Sequence, residues 1–550
     1  VKRIPPTVHA SAGAFPLAEN RSLSRDFVPL RAYLRLNRLR PSGYDGHEAE
    51  FLLGTRPTAS QRKGPFLASP SAHFVIAAAP PSRYRVPFMR VWIVNPFDEL
   101  PGETDLPQRY WALARELAAR GHEVLWWSSD FSHRRKEGRS PPPDTEGFRV
   151  RLVPTPPYRR NVGLARSRNH RSFARRFLRE ALADLDAGRS LPPARIVVSL
   201  PPLGTADAAF AIRERVNRDR TRMTDERPAS PRPGAKTRTT GRTAPPTTAT
   251  RCEVVLDVMD AWPETFHRLL PLPQPLRRAL GPIFFAPWHA KARRAFRRAD
   301  RISAVGDRYL DLARRRARSG TPLHRCYHGV ELGAGGGKPD GGAEAPASAD
   351  GARSPPGIAA GGGLKLVYIG ALERSYDLGT AIQGVRRLNR EGLAVTLDVA
   401  GAGTRAGGIA RIAAADPYVR FHGLLGREAL RSLLSECHLG LIPLAGDSWV
   451  GLPYKMADYA AAGLPVLSSL DGECRRLLET KKAGTFYRPG SEEEFCRSVR
   501  RYADDERSWK EESANARRMA EEEFDRTKTY PALANFVEDD EGRRRVSTLP

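Results

Sequence analysis

The order strand, loop, helix, strand between Leu439 and Ser469 constrains this chain more than any other stretch of it. Leu439 to Leu444 is a short apolar run, and Gly451 to Ser469 (GLPYKMADYAAAGLPVLSS) reads as a helix followed by a second apolar run. Two strands joined through a helix pair in parallel, so the connecting loop and the helix N-terminus lie at the carboxyl edge of a sheet, where ligands gather. Pro453 suits a helix start, Lys455 and Asp458 follow within a turn and a half, and Gly463 suits the end. Free N–H groups from Leu452 to Lys455 would offer an anion site fit for a diphosphate. The plain alternative is an ordinary buried helix and strand, and spacing does not choose between the two.

The same alternation runs through most of the chain. It begins at Met89 with MRVWIVNP, continues through a helix that Gly121 ends and the strand HEVLWWSS, and passes RIVVSLPPL, CEVVLDV and DRISAVG. It restarts with LKLVYIGAL and VTLDVAGAG. The fold class predicted is α/β, two tandem Rossmann-like domains with a cleft between them. Residues 1–88 lack a sustained period of 2 or 3.6 and read as a disordered extension. The N-terminal domain spans 89–332, with 217–250, rich in Arg, Thr and Pro, as a disordered insertion. Residues 333–363 are a Gly, Ala and Pro linker, 364–535 form the C-terminal domain with helices at its end, and 536–550 are a frayed tail. Met89 is the expected native start, an expectation that peptides from 1–88 in the native protein would contradict.

The formal net charge is +27, and residues 1–88 hold thirteen basic against five acidic side chains. A basic surface suits nucleotide diphosphates, anionic lipid or nucleic acid, and charge alone does not choose. Five scattered cysteines without a CxxC pair read as reduced, buried thiols of a cytoplasmic protein. No run of 18 apolar residues occurs and the start lacks a signal-peptide pattern. The first βα loop, with Gly102 and Glu103, lacks GxGxxG, which argues against a dinucleotide-dependent oxidoreductase.

Asp260, Trp262 and Glu264 fall just past the carboxyl end of the strand at Val254 to Val258, a place suited to polar recognition or acid–base work, or to capping the next helix. The following segment, LRRALGPIFFAPWHAKARRAFRRA, mixes aromatics with arginine. It suits an anionic membrane surface, and core packing explains its aromatics as well.

The ordered set YIGAL, VAGAG, VRFHGLL, LGLIPL, YKMADYAAAGLPVLSS and DGE resembles the C-terminal domain of the retaining glycosyltransferases of family 4, which have the GT-B fold. MRVWIVNPF, RYWALARELAARGHEV, SLPPL, LDVMDAWPE, RISAVGD and HGVEL look like the N-terminal half of the same family, in its bacterial polysaccharide-assembly branch. The resemblance covers about residues 89–535 without the two insertions.

It implies transfer of a sugar from a nucleotide diphosphate sugar, UDP-linked, to a glycan or lipid-linked acceptor, with retention, no cofactor and no required metal. Asp458 falls where the family's acid accepts the ribose hydroxyls, and Gly451, Leu452 and Pro453 where amides meet the diphosphate. Gly370, Gly401 and Gly403, with the His422-Gly423-Leu424 turn, lie where backbone approaches donor and base. Gly102, with Glu103 beside it, falls in the loop that nears phosphate or acceptor. Asp260 is the expected catalytic group. Eight positions before Asp458, where the family has an acid, stands Val450, and Asp447 is the nearest substitute. Arg374 takes one of two basic places in the loop after YIGAL, and Lys455 supplies the missing second charge. The expected place is the cytoplasm, with peripheral contact at the inner membrane face. The alternatives are a sugar-nucleotide epimerase of the same fold and a basic nucleic-acid-binding protein, though no nucleic acid is expected as a partner because no aromatic-basic recognition motif accompanies the charge.

Overall fold

The computed structural model describes residues 88–104, 108–142, 145–161, 163–225, 251–332, 363–446 and 448–539. Most of the expected extension, most of the 217–250 insertion, nearly all of the linker, the end of the tail and Asp447 lie outside the described residues.

The N-terminal domain is built from β1 (Arg90–Val94), α1 (Arg109–Ala119), β2 (Glu123–Ser129), β3 (Arg149–Val153), α2 (Leu164–Asp186), β4 (Arg195–Leu200), α3 (Leu203–Asp225), β5 (Glu253–Val258), α4 (Gln274–Phe284), α5 (Ala286–Arg298), β6 (Arg301–Ala304), α6 (Asp307–Arg314) and β7 (Leu323–Arg325). Its strands pair in parallel in the order β3-β2-β1-β4-β5-β6-β7. The C-terminal domain follows as β8 (Leu364–Ile369), α7 (Leu378–Arg390), β9 (Val395–Ala400), α8 (Ala406–Ala415), β10 (Val419–Gly423), α9 (Arg427–Glu436), β11 (Leu439–Ile442), α10 (Lys455–Ala461), β12 (Val466–Ser468), α11 (Glu473–Lys481), β13 (Gly484–Phe486), α12 (Glu492–Asp504), α13 (Glu506–Met519) and α14 (Arg526–Glu538). Its order is β10-β9-β8-β11-β12-β13, again all parallel. Both sheets reverse strand order beside their first strand, which opens a crevice at the carboxyl ends. The architecture is two parallel-sheet α/β domains, as the alternation predicts.

The central strands are near-continuous apolar runs because helices cover both faces of a parallel sheet; Val91, Ile93, Val197, Val255, Leu366 and Leu441 are fully buried. One strand carries a charge through this core. Asp257 on β5 takes a two-pronged contact from Arg109 at 2.6 and 2.8 Å and accepts from the Tyr110 and Ser303 hydroxyls at 2.7 and 2.6 Å. Arg109 also donates to the Cys326 carbonyl at 2.9 Å, so the network ties α1, β5, β6 and the end of β7 together beneath the sheet's carboxyl edge.

Three elements differ from the sequence reading. Helix α3 runs to Asp225, into the stretch read as insertion, because its arginines are good helix formers even where no apolar period marks the helix. Helix α14 continues to Glu538, and Val537 is fully buried in a segment read as tail. It packs on the N-terminal domain, where Glu538 meets Arg120 and His122 at 2.8 Å each and the Val537 carbonyl accepts from Arg195 at 3.0 Å. The helix expected at Pro453 begins at Lys455, after Tyr454, and is shorter than its sequence suggested. All five cysteines are buried, and among the described residues none forms a disulfide.

Candidate functional site

At the carboxyl edge of the second sheet three glycines pack turn on turn. Gly370 ends β8 with φ +114°, and a Cβ on Gly401 (φ +152°) would stand 1.8 Å from the Gly370 carbonyl oxygen. A Cβ on Gly403 would stand 2.5 Å from the Leu372 oxygen. Backbone must therefore approach backbone here, and no other residue allows it. Gly423 joins the stack by accepting the Gly401 N–H at 2.6 Å. His422 turns back to Asp398 on β9, at 2.7 Å, and Leu424 is exposed at the rim.

Lys455 reaches across to this glycine stack. Its residue is 6% exposed, its Nζ lies 3.7 Å from the Tyr368 ring centroid and 4.0 Å from that of Tyr376, and a Cβ on Gly370 would stand 3.4 Å from it. The amine has no hydrogen-bond partner. Burial holds its pKa well below the usual lysine value, and the Asp458 carboxylate one turn on opposes that shift. Burial also pushes Asp458 up to about 6, against the pull of Lys455 and Arg526. The wall that carries Tyr376 is fixed by Asp377 N–H to the Pro443 carbonyl at 2.6 Å and Ala445 N–H to that of Ser375 at 3.0 Å. Arg374, in the same loop, is exposed.

The loop before α10 is held by the other domain. Gly451 N–H donates to the Tyr309 hydroxyl at 3.1 Å, and Arg308 donates to the carbonyls of Ser448 and Val450 at 3.0 and 3.2 Å while lying 4.5 Å over the Trp449 ring. Glu473 in return accepts the Asp307 and Arg308 N–H groups at 2.7 and 3.3 Å and the Tyr327 hydroxyl at 2.8 Å. Helix α6 has no capping side chain of its own, so the carboxylate of Glu473 takes that place. The Tyr454 ring stacks on His328 with centroids 3.4 Å apart. Leu452 and Pro453 are buried between these contacts.

Asp260 faces the junction from the end of β5. It accepts the Ala261 N–H at 2.7 Å and the Trp262 indole N–H at 3.0 Å, and burial lifts its pKa to about 6. Arg166 lies 5.9 Å over the Trp262 ring and 5.8 Å over Phe97, and its charge counters the lift on Asp260. Gly102 has φ +82° in the first βα loop, and Glu103 beside it accepts from Leu100 N–H at 2.8 Å and Arg135 at 2.5 Å. Both therefore shape that loop.

The structure brings Gly370, Gly401, Gly403, Gly423, Lys455 and Asp458 to one edge. Tyr309 accepts the Gly451 N–H, and burial, with the Asp260 charge adding to it, raises the Tyr309 pKa. Arg308, Tyr309 and Glu473, which hold the two halves together, were not singled out in the sequence, and neither was the Tyr368 and Tyr376 box. The only sequence signal for them is position: Arg308 and Tyr309 open the helix after RISAVGD, and Glu473 closes DGE. Among the described residues no group of three or more His, Cys, Asp or Glu converges in a way that would hold a metal ion.

Two parallel sheets meeting along their carboxyl edges around a glycine stack define a GT-B architecture, and residues 363–505 match the family model described as glycosyl transferases group 1. Among solved structures the chain is similar to sucrose-phosphate synthase from Thermosynechococcus elongatus, with TM-score 0.56 and 11% identity over 84% of this chain and 100% of that one. It is also similar to HepE from Anabaena in complex with UDP and glucose (TM-score 0.47, 11% identity, 84% and 100%). A third likeness is to WaaG, a glycosyltransferase involved in lipopolysaccharide biosynthesis (TM-score 0.48, 14% identity, 81% and 99%). No curated protein matches the chain. Among the described residues no helix is long and apolar enough to cross a membrane.

Proposed function

We propose that this chain is a glycosyltransferase that moves a sugar from a UDP-linked donor to a glycan or lipid-linked acceptor, with retention at the anomeric carbon. One observation carries the reading: the buried Lys455 amine, without a hydrogen-bond acceptor, points into the glycine stack at the carboxyl edge of the sheet that matches the group 1 family. A desolvated amine at the carboxyl edge of a parallel sheet fits a diphosphate, whose charge would restore its proton. Arg374 adds a second cation, and the two together do the electrostatic work that a divalent metal does elsewhere. Asp458 accepts the ribose hydroxyls. Asp260 orients the acceptor hydroxyl or steadies positive charge at the anomeric carbon.

In the transfer the bond from the anomeric carbon to the β-phosphate oxygen breaks and the acceptor oxygen bonds the same face of that carbon. The hydroxyl proton passes to the departing phosphate oxygen. The reaction belongs in the cytoplasm, at the inner face of the membrane, in assembly of a polysaccharide. Neither an epimerase nor a nucleic-acid-binding protein has an observation in its favour.

The test is a thermal-unfolding screen of UDP, GDP and their sugars with EDTA present, followed by NMR of the transferred product's anomeric configuration. UDP and one UDP-sugar should raise the unfolding temperature of the wild type and not of K455A. Equal response of both proteins to every nucleotide would overturn the reading.

A further inference from the structure

The carboxyl edge of the first sheet holds a cationic cluster that the donor reading does not use. The loops after β2 and β3 and the first turn of α2 supply it. Lys136 donates to the Asn161 side-chain oxygen at 2.6 Å and to His133 Nδ1 at 3.3 Å. Arg166 donates to the Asn161 carbonyl at 2.6 Å and to His170 Nε2 at 3.3 Å. An ammonium only donates, so His133 accepts at Nδ1 and carries its proton on Nε2. Burial and the charges of Arg166, Lys136 and Arg139 hold His133 down at about 3, and burial with Arg166 keeps His170 neutral too. Both cations are thus matched by an amide, a carbonyl and two neutral rings, and among the described residues neither forms an ion pair. The carboxylate whose charge reaches Arg166 is Asp260, and its oxygens already accept the Ala261 and Trp262 N–H groups.

Holding like charges together costs the fold something. Burial, then the charge of Arg166, keeps Lys136 down at about 8. Lys136 also takes φ +63°, a left-handed conformation that a lysine seldom adopts, in a turn fixed by its N–H to the Ser132 carbonyl at 3.0 Å. Behind it Arg139, with its side chain fully buried, pairs with Glu103 at 3.4 Å and leaves its Nη2 without a hydrogen-bond partner. Rings border the cluster. Phe97 and Trp262 lie 5.8 and 5.9 Å from the Arg166 guanidinium, and the His170 ring packs on both, with centroids 5.3 and 5.8 Å away. A guanidinium and an ammonium suit the oxygens of a phosphate or carboxylate, and aromatic faces beside such donors suit the C–H face of a sugar ring. The Trp262 indole bonds Asp260, so the cluster adjoins the expected acid–base group.

From this arrangement we infer that the accepting sugar itself carries an anionic group, a carboxylate or a phosphate ester, bound by Lys136, Arg166 and the His133 Nε2–H, with its ring against Trp262 and a hydroxyl toward Asp260. The three side chains select the acceptor and take no part in bond making. The word acceptor rests on the glycosyltransferase reading, and the ligand class on the cluster alone.

The full chain is titrated by ligand-observed NMR with glucose 6-phosphate, methyl glucuronide, methyl glucoside and inorganic phosphate, and by calorimetry with UDP. At least one sugar anion should bind about tenfold or more tightly than both methyl glucoside and inorganic phosphate, and which one does so separates phosphate from carboxylate. R166Q should weaken that binding about tenfold or more, and so should K136N, in which asparagine tolerates the left-handed φ. UDP affinity should stay within about twofold in both, which shows that they fold. R159Q/R160Q removes two exposed arginines from the same loop and should change sugar-anion binding less than about twofold. Unchanged binding in both R166Q and K136N would overturn the inference, and so would a loss in R159Q/R160Q as large as theirs. Methyl glucoside binding as tightly as both sugar anions would overturn it too. Inorganic phosphate binding as tightly as either would do the same, and mark a site for free anions. If UDP binds and neither sugar anion does, this inference falls and the donor reading stands. If a sugar anion binds as expected and UDP does not, the donor reading falls and the ligand class of the cluster stands.

Discussion

Tyr309 accepts the Gly451 N–H at 3.1 Å, a bond between residues 142 positions apart that joins the first helical turn of α6 to the loop before α10. Arg308 beside it holds the same loop by two carbonyls, and Glu473 from the C-terminal domain answers by capping α6. The glycine-stack edge and Asp260 are therefore set relative to each other by a reciprocal clamp whose every polar member is bonded across the junction. Loss of one member should loosen both sides.

Glu473→Ala should show this directly. It leaves the Asp307 and Arg308 N–H groups and the Tyr327 hydroxyl without their acceptor, at a cost of about 1–3 kcal/mol for buried donors. Urea unfolding should give a lower midpoint than wild type, and Glu473→Gln, which keeps one oxygen acceptor, should fall between. Nucleotide affinity should fall in parallel, because the Gly451 loop loses its support.

Lys455 gives a prediction with a sign. Its folded pKa lies well below the unfolded value, so the unfolded chain binds more protons and stability rises as pH climbs toward the ordinary lysine value. Lys455→Met removes the buried amine, keeps its length, and should flatten that rise. In nucleotide binding the sign reverses: a diphosphate favours the ammonium form, so UDP binding should take up protons and weaken as pH rises. Calorimetry in buffers of different ionisation enthalpy measures the uptake, and the methionine variant should show less of it with UDP affinity lowered about tenfold or more.

Asp260 should write its pKa into the rate. Burial lifts it to about 6, so the carboxylate form, which the proposed role requires, is present above that pH and lost below it. Donor turnover should climb through pH 6 and level off. Asp260→Asn should abolish that limb and lower the plateau about 100-fold, in keeping with the loss of a positioned acid–base group. A limb that survives in the variant would assign the titration to another group, such as Asp458.

The sequence shows the sheets plainly, because a buried parallel strand is an apolar run and a covering helix has its own period. Gly370, Gly401 and Gly403 were legible for the same reason: each follows such a run at its carboxyl end, where only glycine lets neighbouring turns touch. Lys455 and Asp458 were legible from their place in one helix. What stayed hidden depends on distant partners. Asp257 sits inside an apolar strand and makes sense only with Arg109, 148 residues away. Arg308, Tyr309 and Glu473 look like ordinary surface helix residues until the other domain is set against them. The length of α3 was hidden for a different reason, since Asn217 to Asp225 is rich in Arg, Asp and Thr, shows no apolar period and resembles a solvated linker.

The glycine stack provides the last prediction, with its own control. At Gly401 an alanine Cβ would meet the Gly370 oxygen at 1.8 Å, a contact between two backbones that no side-chain rotation relieves, and φ +152° adds strain. Gly401→Ala should cost about 2 kcal/mol or more and push apart the β8 and β9 turns beside Lys455. Gly407 lies inside α8 with no neighbour within 4 Å of the place a methyl would take, so alanine there meets only the helix preference. Gly407→Ala should gain about 0.5–1 kcal/mol. Thermal unfolding of the two variants should therefore move in opposite directions from the wild type, and UDP should protect the Gly407 variant as fully as the parent while protecting the Gly401 variant weakly.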